Sequence, residues 1–186
     1  MSPTAAFFST EQIDAIDNAS SGSGINYVKV SKIEGEERFR LMGTGIVGYE
    51  GWIEDGEKQT PIRWEQKPAE LPDNIRKDDK GAPQIKFFMC GVVWDYQLEM
   101  FRILSMTQRS LRDQLSKYMR DDDYGDPTGY DIKISREGEG LNTKYGLLAS
   151  PPKDVTKEIA TGWAERGSLI NLKALFDNDD PFAEIL

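Results

Sequence analysis

The chain has 186 residues, 38% hydrophobic and 30% charged, with 32 acidic side chains against 23 basic ones and a net charge of −9. That length supports one well-buried core and is short for two. The chain holds no histidine and one cysteine, Cys90, which excludes zinc fingers, His-based metal sites, Ser-His-Asp triads, Cys-His dyads and intramolecular disulfides. The acidic balance argues against a simple cationic nucleic-acid coat, although a local basic groove can sit inside an acidic total. No apolar run approaches the roughly 20 residues that span a bilayer, and no basic-then-apolar leader opens the sequence. A soluble, intracellular protein is therefore expected, with Cys90 an inert core thiol in a reducing compartment.

In chain order, residues 9–18 read as a short helix capped by Thr10, with Ile13 and Ile16 as a thin apolar stripe. The Ser/Gly-rich stretch from Asn18 to Gly24 is a linker by composition. Residues 1–26 thus form an arm that either docks elsewhere, for instance on a second copy, or is a plain leader. From Glu37 to Tyr49, Phe39, Leu41, Val47 and Tyr49 alternate with a face that begins Arg38 and Arg40, while Gly43 and Gly45 permit coiling. The polar stretch from 51 to 84 holds one short candidate strand, Pro61 to Glu65. Ile85 to Tyr96 is almost continuously apolar, as a central strand is, and Met100 to Met106 follows after a turn. A helix capped by Ser110 carries Leu111, Leu115, Tyr118 and Met119 and stops at Asp121-Asp122-Asp123. Tyr130 to Arg136 alternates, with Tyr130, Ile132 and Ile134 inward and Asp131, Lys133 and Ser135 outward. A Gly-rich hairpin turns it into Thr143 to Ala149. A helix with Val155, Ile159 and Trp163, an apolar stretch from Leu169 to Phe176 and an acidic tail over 177–186 complete the chain.

The order of strands and helix matches a five-stranded OB-fold barrel with its helix between the third and fourth strands. A generic α+β sheet gives the same string. The expected class is mainly β with flanking helices, organised as an OB domain over 27–152, C-terminal helices over 153–176 and the tail.

Catalytic groupings are weak. Asp121, Asp122, Asp123 and Asp126 lack the offset glutamate of a calcium loop, and a charged helix stop explains them. Gly138-Glu139-Gly140 is followed by no Gly-Lys-Ser/Thr, and Glu139 would repel phosphate. Binding residues are better represented. Single-stranded nucleic acid is held by rings that stack on bases and by cations that follow the phosphates, and the strand region interleaves both types. Arg38 and Arg40 precede Tyr49 and Trp52; Lys58 and Arg63 flank Trp64; Lys86 opens the strand that carries Trp94 and Tyr96.

The segment from Gly129 to Tyr145 (GYDIKISREGEGLNTKY), with Pro151-Pro152 beyond it, resembles the fourth-to-fifth-strand hairpin of phage single-stranded-DNA-binding proteins. The phrase Trp64-Glu65-Gln66-Lys67-Pro68 and the apolar strand ending in Trp94 are similar to that family as well. The resemblance covers roughly residues 37–152. It implies an OB-fold protein, not an enzyme and without a cofactor, that coats single-stranded DNA in phage replication, recombination or repair, in the cytoplasm of the infected bacterial host. Some phage relatives carry a structural zinc, which a chain without histidine and with one cysteine cannot build. The tail is similar to the partner-recruiting tip of bacterial single-stranded-DNA-binding proteins, except that four residues follow Phe182.

The expected DNA groove is lined by Arg38, Arg40, Trp64, Lys67, Arg102, Lys133, Arg136, Lys144 and Tyr145. Replication or recombination proteins are expected at Asp179, Asp180, Pro181 and Phe182, as an unstructured peptide with one aromatic anchor. Self-association on DNA is a further expectation. Two alternatives stand beside this reading: an OB-like adaptor without a groove, working through Trp163, Phe176 and the tail, and a nuclease using the Asp121–Asp126 cluster.

Overall fold

The strand-forming segments of the described chain build a single sheet. In the computed structural model the described residues are 26–185; the expected helix over 9–18 and the linker over 18–24 lie outside them. In chain order come β1 (Tyr27–Val28), β2 (Gly35–Asp55), β3 (Lys58–Trp64), β4 (Lys86–Asp95) and β5 (Met100–Met106), then helix α1 (Arg109–Met119), β6 (Asp131–Glu137), β7 (Lys144–Ala149) and helix α2 (Lys157–Arg166). The sheet order is β1-β5-β4-β2-β6-β7, with β3 paired to β2 as a hairpin. The β1–β5 pair is parallel and every other pair is antiparallel.

The chain is mainly β with flanking helices, and the sheet does not close. No ladder joins β5 to β7 among the described residues. Helix α1 occupies that seam instead. Its Gln114 Oε1 accepts a 2.7 Å hydrogen bond from the Leu147 N–H of β7, and Leu111 and Leu115 are buried beside Leu147. A side chain thus satisfies a strand-edge donor that a neighbouring strand would otherwise take. The helix begins after Gln108, which makes no side-chain cap bond, so Ser110 is an interior residue rather than the expected cap.

Both faces of the sheet are covered. Phe39, Val93, Leu104, Ile132, Ile134 and Leu147 form an inner face sealed by α1 and Tyr130. Phe88, Cys90, Val92, Phe101 and Ile103 form an outer face sealed by Ile159 of α2, by Leu172 and Leu175, and by Phe182. β4 alternates between two apolar layers, which explains its nearly continuous apolar sequence.

This arrangement overturns the expectation of an unstructured tail. Pro181 and Phe182 are buried, Phe182 being 6% exposed. The Asn171 N–H donates to the Pro181 carbonyl at 2.9 Å, and Asp180 Oδ1 accepts from the Phe182 N–H at 2.9 Å. A ring with an apolar face available on its own domain has no reason to stay in water. Trp163 and Phe176 are used in the same way. Trp163 lies 5.4 Å from the Phe101 ring and Phe176 lies 6.2 Å from the Phe88 ring, centroid to centroid.

Two glycines carry local geometry. Gly138, at φ +76°, opens the β6–β7 hairpin, where a Cβ would stand 2.5 Å from the Asn142 carbonyl oxygen. Gly43, at φ +63°, sits where the β2–β4 register shifts between Met42 and Ile46, and a Cβ there would meet the Trp163 ring at 2.6 Å.

Candidate nucleic-acid interface

The nine residues expected to line one groove divide between the two faces of the sheet. Arg38 and Arg40 lie on the outer face of β2, where they converge on Asp131, a fully buried carboxylate. Arg40 is 1% exposed; its Nε donates to Asp131 Oδ1 at 2.7 Å and its terminal nitrogens donate to the carbonyls of Thr128 and Lys153. Arg38 donates to Asp131 Oδ2 and lies 4.5 Å above the Tyr96 ring, whose hydroxyl donates to Asp131 Oδ1 at 2.9 Å. Burial pushes the Asp131 carboxyl up, but hydrogen bonds from Arg38, Arg40 and Tyr96 outweigh it and hold the group below the ordinary aspartate range. Arg40 is therefore a structural cation, not a phosphate contact. The basic face of β2 exists because Asp131, read from the sequence as outward and solvated, is buried beneath the chain around Lys153.

Arg102 is likewise committed. Its Nη1 donates to Asp95 Oδ2 at 2.7 Å and its Nη2 donates to the Tyr27 carbonyl at 2.5 Å, with the side chain 13% exposed. This anchors β1 to β5, so Arg102 does not line an open groove. Lys133 is on the outer face and pairs with Glu36 at 3.1 Å. Lys144 is exposed, opposite Glu137. Arg136 and Tyr145 are cross-strand partners that alternate onto the inner face with Ile134 and Leu147, and Arg136 Nε is buried without a hydrogen-bond partner among the described residues. Lys67 is exposed in the loop after β3.

Trp64 does belong to a cluster, one made with residues outside that set. It ends β3 directly opposite Tyr49 of β2, and Tyr49 is directly opposite Phe87 of β4. Cross-strand partners share a face, so three half-buried rings stand side by side on three adjacent strands. The Tyr49 and Phe87 rings meet edge to face at 5.5 Å. The Trp64 ring packs over Gly51, where a Cβ would lie 3.4 Å from it. At one end of the row the Arg112 guanidinium of α1 sits 5.1 Å above Phe87, its Nε buried without a hydrogen-bond partner among the described residues. Lys67 follows Trp64 by three residues in the chain. Rings on neighbouring strands with cationic side chains near them can stack bases and hold phosphates. A two-residue turn at Gly56-Glu57 sets Trp64 opposite Tyr49. The expected loop over 51–84 with one short strand at Pro61 to Glu65 is thus corrected to a hairpin of β2 (to Asp55) and β3, for which the Gly56 turn was the available signal.

The remaining candidates do not form sites. Asp121 Oδ1 accepts from the Asp123 N–H and Asp126 Oδ1 from the Thr128 N–H, so these carboxylates close turns. Among the described residues no three acidic or cysteine side chains converge where they could hold a metal ion. Cys90 is buried on the outer face, and loss of solvent pushes its thiol up to about 12. No helix among the described residues is long and apolar enough to cross a membrane. Comparison of the chain with protein-family models, curated proteins and solved structures finds no match.

Proposed function

We propose that this chain is a sequence-independent single-stranded DNA-binding protein, of OB type, that coats DNA in phage replication, recombination or repair. The observation that carries this reading is the row Trp64–Tyr49–Phe87, half-exposed across three strands, with the Arg112 guanidinium over Phe87 and the exposed Lys67 three residues beyond Trp64 in the chain. The sheet order supports the OB reading: β5-β4-β2-β6-β7 is the pairing order of a five-stranded OB barrel opened at one seam, with α1 between its third and fourth strands. Arg38, Arg40 and Arg102 are outside the proposed interface, since each is tied to a buried carboxylate. The net charge of −9 opposes long-range attraction to DNA, so binding rests on local stacking and, with only a few phosphate contacts, falls with salt on a shallow slope.

Anisotropy of a labelled oligo(dT), titrated with salt, tests the reading. Binding is expected at low salt. Alanine in place of Trp64, Tyr49 or Phe87 should each weaken it by about 1–3 kcal/mol. Lys67→Ala should lower the slope of log K against log salt by about 0.7. No binding at low salt refutes the function. Binding that none of the three ring variants changes refutes the site.

A further inference from the structure

Where β2 breaks its ladder with β4, residues 43–45 have no partner residue in any ladder. Beneath this break lies a cavity of about 350 Å³. Its wall is soft and apolar: Met42, Met89, Met106 and Met119, with Leu41 and Leu115. Four of the six methionines of the chain therefore face one space. Thioethers adapt to irregular shapes and make favourable contacts with the edges of aromatic rings. The volume is at the lower end of ordinary ligand pockets, which suits a compact one- or two-ring molecule.

The mouth adds selectivity. Among the described residues, Asp126 is the only charged side chain lining the cavity. Its Oδ1 accepts from both the N–H and the hydroxyl of Thr128, at 2.9 and 2.7 Å. Those two bonds also hold its carboxyl below the ordinary range, so it is ionised at neutral pH. Asp121, Asp122 and Asp123 precede it in the same acidic turn. An anion approaching this mouth meets like charge, whereas a neutral or cationic ring does not.

We propose that this cavity binds a small planar aromatic molecule, neutral or cationic, and discriminates against anionic ones through Asp126. The cavity shares no lining residue with the Trp64–Tyr49–Phe87 row, but it adjoins it, since Val47 and Met89 are the next cross-strand pair on the same face as Tyr49 and Phe87; the test below is therefore made on protein free of DNA.

The test uses the full chain with methyl-labelled methionine and three probes that share one ring: indole, tryptamine and indole-3-acetate. Indole and tryptamine should shift the methyl signals of Met42, Met89, Met106 and Met119 and leave Met100, which does not line the cavity, in place. Tryptamine should bind at least about threefold tighter than indole-3-acetate, the scale of one exposed charge pair. Asp126→Asn, which can keep the bonds to Thr128, should bring that ratio to about one. Val47→Trp, a change at a 52% exposed position on the mouth, should suppress the methyl shifts while the protein stays folded. Absence of a response to indole and tryptamine at about 10 mM, weaker than any useful site, overturns the proposal. So does a response shared equally by Met100, or a ratio that Asp126→Asn leaves unchanged.

Discussion

Replacing Asp131 with Asn should be among the most damaging conservative changes available to this protein. The substitution keeps the shape of the side chain and removes its charge. Arg40, 1% exposed, is then a buried cation without a counter-ion. Removing one partner of a buried ion pair costs about 3–5 kcal/mol. The lower end of that range is expected, because Arg40 still donates to the carbonyls of Thr128 and Lys153 at 3.0–3.1 Å. Arg38 adds little to the cost, since its side chain is 36% exposed and water screens it. Against a total stability of roughly 5–15 kcal/mol for a domain, a loss of about 3 kcal/mol is readily measured by urea unfolding followed through tryptophan fluorescence. The pH dependence has a definite sign. A carboxyl held below its unfolded value contributes fully above the unfolded aspartate pKa of about 3.9, and that contribution is lost as pH falls through the lower folded value. The gap between parent and Asp131→Asn should therefore be flat from about pH 5 to 8 and shrink below about pH 4. Arg40→Met should lower stability yet leave the oligo(dT) affinity of the folded protein unchanged. A cost for Asp131→Asn below about 1 kcal/mol, or a loss of DNA affinity in folded Arg40→Met, would refute the structural role given to this cluster.

Phe182→Ala should lower the urea midpoint by the equivalent of about 3 kcal/mol, because the ring fills the outer-face core; an unchanged midpoint would mean that the tail does not pack there. Cys90 should react with a thiol reagent at pH 8 only on the timescale of unfolding, given burial and a thiol pushed up to about 12; rapid labelling of native protein contradicts this. Gly138→Ala should cost about 1–3 kcal/mol in the same unfolding assay, since φ is +76° and the new methyl would strike the Asn142 carbonyl. A neutral outcome there would show that the β6–β7 turn tolerates a different conformation.

What the sequence determined by itself is the local layer. Alternation marked β6 and the first part of β2, the Gly-rich hairpin marked β7, the long apolar run marked a central strand, and spacing at i, i+4 and i+7 marked α1 to within a residue or two. The inward set Tyr130, Ile132 and Ile134 was legible because period two leaves no other choice once one face is apolar. The tertiary structure decided what covers each face, and that reversed the roles of the charged and aromatic residues. Arg38 and Arg40 look like an exposed basic face until Asp131 and the Lys153 carbonyl are brought against them from about ninety and more residues away. Phe182 looks like a free anchor until the outer face of β4 and β5 offers it an apolar bed. Phe87 and Arg112 join the ring row only through the β2–β4 ladder and the seating of α1 on the open seam. Local pattern fixes which way a side chain points along its own strand. Only the long-range contacts, whose closure cost is met by burial elsewhere in the fold, determine whether it points into water or into another part of the chain.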